Sequence, residues 1–94
     1  MKIHWSEDAL NDLDNLQIYI TANNPEVAQE IVERILMTIE FLARQPNLGK
    51  PGRVPETREL VVGKTPVIIP YRAEENTLEI LRVYHHSRRW PDHL

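Results

Sequence analysis

The chain contains no cysteine in its 94 residues, which excludes a disulfide framework and a thiol nucleophile. No apolar run approaches the roughly 20 residues of a membrane-spanning helix. The first five residues lead directly into acidic ones, without the apolar segment of a signal peptide. We therefore expect a cytoplasmic protein with no membrane partner. With 41% hydrophobic and 27% charged residues, the composition is typical of one globular domain, here residues 1–94.

Glycine and histidine are too few and too scattered for the common cofactor sites. The three glycines match neither a phosphate-binding loop nor a dinucleotide fingerprint. Of the four histidines, His4 and His93 lie near the ends of the chain, and His85 and His86 are adjacent, which fits no zinc-ligand spacing. The sequence therefore predicts no metal and no cofactor.

Charge is distributed unevenly along the chain. Residues 1–45 carry three basic and eight acidic side chains, a net of −5, whereas residues 46–94 carry eight basic and six acidic ones, a net of +2. The total of −3 argues against general attraction to nucleic acid. A local basic site in the second half stays open, as does the simpler interpretation of solvated acidic helices beside a mixed sheet.

The first half of the chain has the pattern of a strand followed by two helices. Polar and apolar residues alternate over residues 2–5. Ser6 and Asn24 are typical N-caps, and Pro25 suits a first helical position, so we expect helices over about 6–23 and 25–45 that form an antiparallel hairpin. The predicted helical core consists of Ala9, Leu13, Leu16, Ile20, Ala28, Val32, Ile35, Ile39 and Leu42.

The second half has the pattern of a β-meander. Three prolines and two glycines over residues 46–55 predict a loop without regular structure. Pro66 and Pro70 cannot donate to a strand ladder, so we expect part of their strand to be irregular or at an edge. The predicted strands are Arg58–Val62, Thr65–Ala73 and Thr77–His85. The order β-α-α-β-β-β predicts an α+β fold, an antiparallel sheet with the helical hairpin on one face and residues 2–5 at an edge.

The ordered set of segments in the second half resembles the RelE/ParE toxins. The resemblance covers nearly the whole chain and rests most on two stretches that look like the family's closing hairpin. These stretches are Val67-Ile68-Ile69-Pro70-Tyr71-Arg72 and Leu78-Glu79-Ile80-Leu81-Arg82-Val83-Tyr84-His85, with Gly52-Arg53 and Arg58-Glu59-Leu60 before them and Ser87-Arg88-Arg89-Trp90-Pro91 after them.

The resemblance implies a RelE/ParE-like fold and a growth-arresting toxin of a type II toxin–antitoxin module. It implies a cognate antitoxin as partner in a toxin–antitoxin hetero-oligomer. It also implies one of two targets, because some members cut mRNA on the ribosome and others poison DNA gyrase. Fold alone does not choose between them.

If the chain is a ribonuclease, we expect Arg72, Arg82 and His86 to be catalytic. The attack of a 2′-OH on phosphate needs a base, a cation and an acid, and the resemblance places Arg72 at the family's phosphate-binding arginine. Strand alternation puts Arg82 and His86 on one face. If the strand register brings Arg72, Arg82 and Arg58 together on the sheet face away from the helices, they would form a basic patch the size of a phosphate. The alternative is that the arginines form ordinary solvent-face salt bridges with Glu59 and Glu79.

If the chain acts by binding, its basic and aromatic side chains are the candidates for target contact. Tyr84 suits stacking, although such a tyrosine is more often part of a core. His85 has the parity of Val83 and is expected to be a packed structural residue. The candidate target-binding set is Arg53, Arg58, Tyr84, Arg88 and Arg89.

Two departures from the ribonuclease members favour either gyrase or a divergent target. The chain is acidic overall, and its loop offers only Lys50, Arg53 and Glu56. The short C-terminal tail argues against gyrase, because gyrase-directed members often carry a longer terminal helix. Met37 and Phe41 lie off the main apolar stripe of the second helix, which predicts surplus apolar surface for an antitoxin segment. The alternative is that both pack on Trp5 of the first strand.

Overall fold

A computed structural model describes residues 1–85 of the chain. It confirms the α+β fold: two helices are followed by a meander, and the first strand joins the same sheet. Helix bounds agree with the sequence prediction to within a residue. The elements are β1 (Lys2–Trp5), α1 (Glu7–Asn23), α2 (Pro25–Arg44), β2 (Lys50–Pro51), β3 (Arg58–Val61), β4 (Val67–Glu74), β5 (Thr77–Ile80) and β6 (Tyr84–His85).

Both helices begin at the predicted caps. The Ala9 N–H donates to Ser6 Oγ at 3.0 Å, and the Val27 N–H donates to Asn24 Oδ1 at 3.3 Å. Asn24 also ends α1, because its own N–H donates to the carbonyl of Ile20 at 2.7 Å. One residue thus ends one helix and begins the next, and the two helices lie side by side.

The sheet is mixed, with the strand order β1-β5-β4-β3-β2. The meander β3-β4-β5 is antiparallel as predicted, and β6 pairs with the beginning of β4. β1 lies at the predicted edge, but it runs parallel to β5, with Lys2 opposite Thr77 and Trp5 opposite Ile80. The sequence pattern of residues 2–5 gave no direction for this strand.

One core joins both helices to one face of the sheet. Six of the nine predicted helical core residues are buried, and Leu13, Ile20 and Val32 are half-buried at its margin. The sheet supplies alternate residues of β4 and β5, including Tyr71. The buried cluster consists of Ala9, Leu16, Ile35, Ile39, Leu42, Val62, Val67, Ile69, Tyr71, Leu78, Ile80 and Val83.

The last predicted strand is interrupted opposite Pro70. β5 ends at Ile80 and β6 begins at Tyr84, whereas β4 runs unbroken through Pro70 in the middle of the sheet. The prediction that part of the proline strand would be irregular or at an edge is therefore confirmed at Pro66, which lies in the bend before β4, and wrong at Pro70, which lies inside it. The Pro70 carbonyl accepts from the Leu81 N–H at 3.0 Å. The Pro70 nitrogen, which has no hydrogen to donate, faces the same segment, and that segment is therefore the one whose regular pairing is interrupted.

The proline-rich segment contains one short strand that the sequence did not predict. Lys50 and Pro51 form β2, which pairs with Glu59 and Arg58 of β3. Proline is tolerated there because β2 is the edge of the sheet. No helix within residues 1–85 is both long and apolar enough to cross a membrane.

Candidate functional site

The predicted arginine patch does not form, because the three arginines lie in different environments. Arg72 lies on the sheet face away from the core, opposite Glu79 of β5. Arg58 lies opposite Tyr71, and directly opposed residues share a face, so Arg58 is on the helix side. Arg82 lies in the interruption between β5 and β6 and reaches Asp12 of α1. The prediction of convergence on the outer face is therefore wrong.

Arg58 holds the loop that precedes β3. Its Nη1 donates to the carbonyl of Gly49 at 2.7 Å, and the Gly49 N–H donates to the Tyr71 hydroxyl at 2.9 Å. That hydroxyl in turn donates to the carbonyl of Pro46 at 2.7 Å. Burial raises the pKa of Tyr71 above its ordinary value, and the Gly49 hydrogen bond and the Arg58 charge offset part of the rise. In this structure the Arg58 side chain therefore stabilises the loop around Gly49.

Arg53 lies on this anchored loop with its side chain at the surface. Its backbone N–H donates to Oε2 of Glu59 at 2.8 Å, and Glu59 is buried. A buried carboxylate stabilises a fixed backbone donor strongly. The loop therefore presents Arg53 from a fixed backbone position, which is how loops on rigid scaffolds commonly carry binding residues.

Arg72 lies in an acidic environment. Its Nη1 lies 3.4 Å from Oε1 of Glu79, and its buried Nε has no hydrogen-bond partner within the described part of the chain. A depression of about 210 Å³ beside it is lined by Arg72, Thr77 and three glutamates, Glu74, Glu75 and Glu79. One arginine against three carboxylates disfavours a phosphate at this position.

Arg82 forms the best-defined ion pair of the described residues. Its Nε and Nη2 donate to Oδ2 and Oδ1 of Asp12 at 2.7 and 3.0 Å, and the Val83 N–H donates to the same Oδ2 at 3.0 Å. The hydrogen bonds that Arg82 donates to Asp12 raise the pKa of its guanidinium above its ordinary value. Asp12 is 5% exposed, so the bidentate pair fastens α1 to the interruption after β5.

The remaining candidates lie at the end of the described residues or beyond it. The Tyr84 ring is buried, at 3% exposure, and its centroid lies 4.8 Å from the Arg82 guanidinium carbon. Because the ring is buried, it is not accessible for stacking against a nucleobase. His85 lies opposite the core residue Val67, as its parity predicted. His86, Arg88 and Arg89 lie outside the described residues. Within residues 1–85, no group of three acidic or histidine side chains is placed to hold a metal ion.

Comparison with known proteins identifies the family. The sequence model described as "ParE toxin of type II toxin-antitoxin system, parDE" matches residues 3–90. The chain belongs to the ParE toxin family. It is 42% identical over 90 residues, 96% of this chain and 93% of the relative, to "Putative toxin Y4kP" of Sinorhizobium fredii (strain NBRC 101917 / NGR234).

A solved structure gives the same assignment. This ParE-family chain is similar to one titled "Chromosomal ParDE TA system from P. aeruginosa", with a TM-score of 0.83 and 28% identity, covering 90% of this chain and 95% of that one. Sequence and structure therefore agree that the protein is the toxin of a type II toxin–antitoxin system.

Among the described residues two carboxylates are buried, Asp12 and Glu59. Sequence reasoning missed Asp12 and considered Glu59 only as a solvent-face partner for the arginines. The signal for Asp12 was present, because it lies three residues after Ala9 and four before Leu16, on the apolar side of α1. A carboxylate at such a position needs a buried partner. The burial of Glu59 had no comparable signal, since its partner is the backbone N–H of Arg53 on a loop.

Proposed function

We propose that this ParE-family toxin arrests growth in the cytoplasm by poisoning DNA gyrase and is neutralised by a cognate antitoxin. The observation that carries the proposal is the match of residues 3–90 to the ParE model within the larger RelE/ParE group. The acidic net charge of −3 also supports a protein target, because neutralising RNA phosphates requires basic surface.

The chemistry of the described arginines supports gyrase over the ribonuclease alternative. Cleavage of RNA requires a cation that is free to contact the reacting phosphate. Arg82 is held by a bidentate pair to a buried carboxylate, and Arg72 pairs with Glu79 and lines a depression together with three glutamates. A phosphate could contact Arg82 only by displacing the Asp12 carboxylate, and it could contact Arg72 only against the repulsion of the neighbouring glutamates.

For the target contact, we propose Arg53 as the main contributor from the described residues. Its backbone is held by Glu59, and the loop around it is anchored by Arg58 and Tyr71. Arg53→Ala should reduce growth inhibition while leaving the fold intact. The matched control is Arg34→Ala, which removes a half-buried arginine of α2 whose partner is Glu30 at 3.2 Å.

Expression from a tightly regulated promoter without the antitoxin tests the target. Gyrase poisoning predicts induction of the DNA damage response, filamentation, and cleaved DNA trapped on purified gyrase when the toxin is added. Intact mRNA over the same period is also expected. Rapid translation arrest with mRNA cut between codons would instead establish the ribonuclease, and an absence of toxicity would indicate an inactive binding module.

The antitoxin half of the proposal is tested separately. Co-expression with the neighbouring small reading frame should restore growth, and the two chains should purify as one hetero-oligomer. Restoration of growth without a stable complex would argue against neutralisation by direct binding.

A further inference from the structure

Glu59 is buried on a face of the sheet where a neighbour on its own strand is exposed. It lies opposite Lys50 of β2 and Pro70 of β4, on the face away from the helices. Val61, two residues further along β3 and on the same face, is 57% exposed, whereas Glu59 is 6% exposed. The helices lie on the other face and cannot bury Glu59. The loop between β2 and β3 reaches it, because the Arg53 N–H donates to its Oε2 at 2.8 Å.

This loop, residues 52–57, has a closed shape of its own, and we call it the tip loop. The Gly52 N–H donates to the carbonyl of Thr57 at 2.8 Å. Thr57 donates to the carbonyl of Val54 through its N–H at 3.2 Å and through its hydroxyl at 2.6 Å. Glu56 has a positive φ of 68°, which costs energy in a residue other than glycine. The hydrogen bonds therefore hold the tip loop in a defined conformation against this strain.

The hydrogen bonds inside the tip loop fix its shape but not its orientation on the sheet. The contact between the Arg53 N–H and Glu59 joins the loop to the outer face of β3. Within residues 1–85, Glu59 accepts no other hydrogen bond and forms no ion pair. Its carboxylate is therefore committed to the backbone of one residue, and that residue is the arginine proposed for target contact.

A buried carboxylate with a single partner is a poor choice for stability alone. Removing a carboxylate from water costs more than one hydrogen bond returns. An apolar side chain at position 59 would be buried without that cost. Buried polar groups can instead select one arrangement among several of similar energy. For Glu59, the arrangement selected is the direction in which the Arg53 backbone runs.

We propose that Glu59 is the positioning residue of the target contact, and that it acts through its acceptor oxygen rather than its charge. This inference rests on the proposed role of Arg53. Glu59 is buried and does not contact the target itself. Without its hydrogen bond the tip loop spends part of its time in other orientations. The apparent affinity for the target then falls in proportion to the fraction of molecules that present Arg53 correctly.

Two conservative variants separate the reach of this side chain from its charge. Glu59→Asp keeps the carboxylate but is one methylene shorter, which withdraws the acceptor from the Arg53 N–H. Glu59→Gln keeps the length and an acceptor oxygen without the charge. Trapping of cleaved DNA on purified gyrase should need about tenfold more of Glu59→Asp, the factor for one lost hydrogen bond to a charged group. It should need no more than about threefold more of Glu59→Gln, since a neutral hydrogen bond is roughly half as strong.

Two further proteins show whether the effect passes through Arg53 or through stability. Ile39→Val trims the core of α2 away from the tip loop, and its potency should stay within about twofold of the unchanged toxin. Thermal melting establishes that each variant is folded at the assay temperature. Glu59→Asp combined with Arg53→Ala should be within about twofold of Arg53→Ala alone, because residues that act together are not additive. A fully additive loss would overturn the inference.

Amide hydrogen exchange at Arg53 tests the positioning without a target. The Arg53 N–H should be protected in the unchanged toxin and in Glu59→Gln, and should exchange about tenfold faster in Glu59→Asp. Equal protection in Glu59→Asp, or equal losses of potency in the two variants, would overturn the inference. If the unchanged toxin traps no cleaved DNA on gyrase, the proposed function fails. The exchange rates and the growth inhibition by the same variants then still decide the role of Glu59.

Discussion

Asp12→Ala removes the contact that fastens α1 to the interruption between β5 and β6. The carboxylate accepts two hydrogen bonds from the Arg82 guanidinium and one from the Val83 N–H, at 2.7 to 3.0 Å. An alanine leaves the guanidinium without its counter-charge and the buried Val83 N–H without an acceptor. Neither group has another acceptor within the described residues.

The expected cost can be worked from these contacts. Removing one partner of a buried ion pair destabilises a protein by roughly 3–5 kcal/mol. The Arg82 side chain keeps 23% exposure, so water partly replaces the lost carboxylate, and we expect about 3 kcal/mol. For a domain of this size such a loss lowers the melting temperature by roughly 12–24 °C.

Urea unfolding of four proteins measures the interaction: the unchanged toxin, Asp12→Ala, Arg82→Met and the double variant. The double-mutant cycle isolates the pair, and we expect a coupling energy of about 2 kcal/mol. A cost below about 1 kcal/mol for Asp12→Ala, the range of exposed salt bridges, would refute the idea that this carboxylate fastens the helix to the sheet.

Three further predictions concern the loop and the outer face of the sheet. Tyr71→Phe should cost about 1–3 kcal/mol in urea unfolding, because the Gly49 N–H loses its acceptor. The raised pKa of Tyr71 means that its stabilisation is complete below the ordinary tyrosine pKa and is lost as pH rises through the folded value; unfolding across alkaline pH should show this loss in the unchanged toxin and not in Tyr71→Phe. Gly49→Ala places a Cβ 2.6 Å from the Tyr71 hydroxyl and 2.8 Å from a backbone oxygen, so it should lower the melting temperature, whereas Gly63→Ala meets open space and should not. Arg72→Ala should change the free energy of unfolding by less than about 1 kcal/mol, since both side chains of its ion pair with Glu79 keep about one-third of their exposure and water can replace the contact; a larger change in thermal or urea unfolding would mean that Arg72 supports the fold.

Local signals in the sequence were sufficient for the helices and for most of the core. Ser6 and Asn24 cap the helices as predicted, because a cap depends on residues three positions away. The tight turns of the meander were also visible, and Glu75 and Asn76 adopt positive φ angles of 47° and 64° in the turn between β4 and β5. Hairpin turns of this kind are set by two or three adjacent residues.

The arrangement of the arginines could not be predicted, because it depends on non-local pairing. Alternation along an unbroken strand placed Arg82 on the outer face, but the strand is interrupted and Arg82 turns to Asp12 instead. Arg58 could not be assigned to a face, since its side depends on the register between β3 and β4. Pro70 was recognised as a disruption, yet its effect falls on the neighbouring strand, which no local pattern shows.

The parallel pairing of β1 with β5 constrains the time at which the toxin becomes folded during synthesis. Ser6 donates to the carbonyl of Leu81 across 75 positions of sequence, and β1 has no other strand partner within the described residues. At about 5–20 residues per second, translation separates the two ends of this contact by roughly 4–15 s. During that interval the helical hairpin can form, but the first strand and α1 lack their attachment to the sheet. Each new toxin chain therefore passes through a stage in which its helices are made but its sheet is not yet complete.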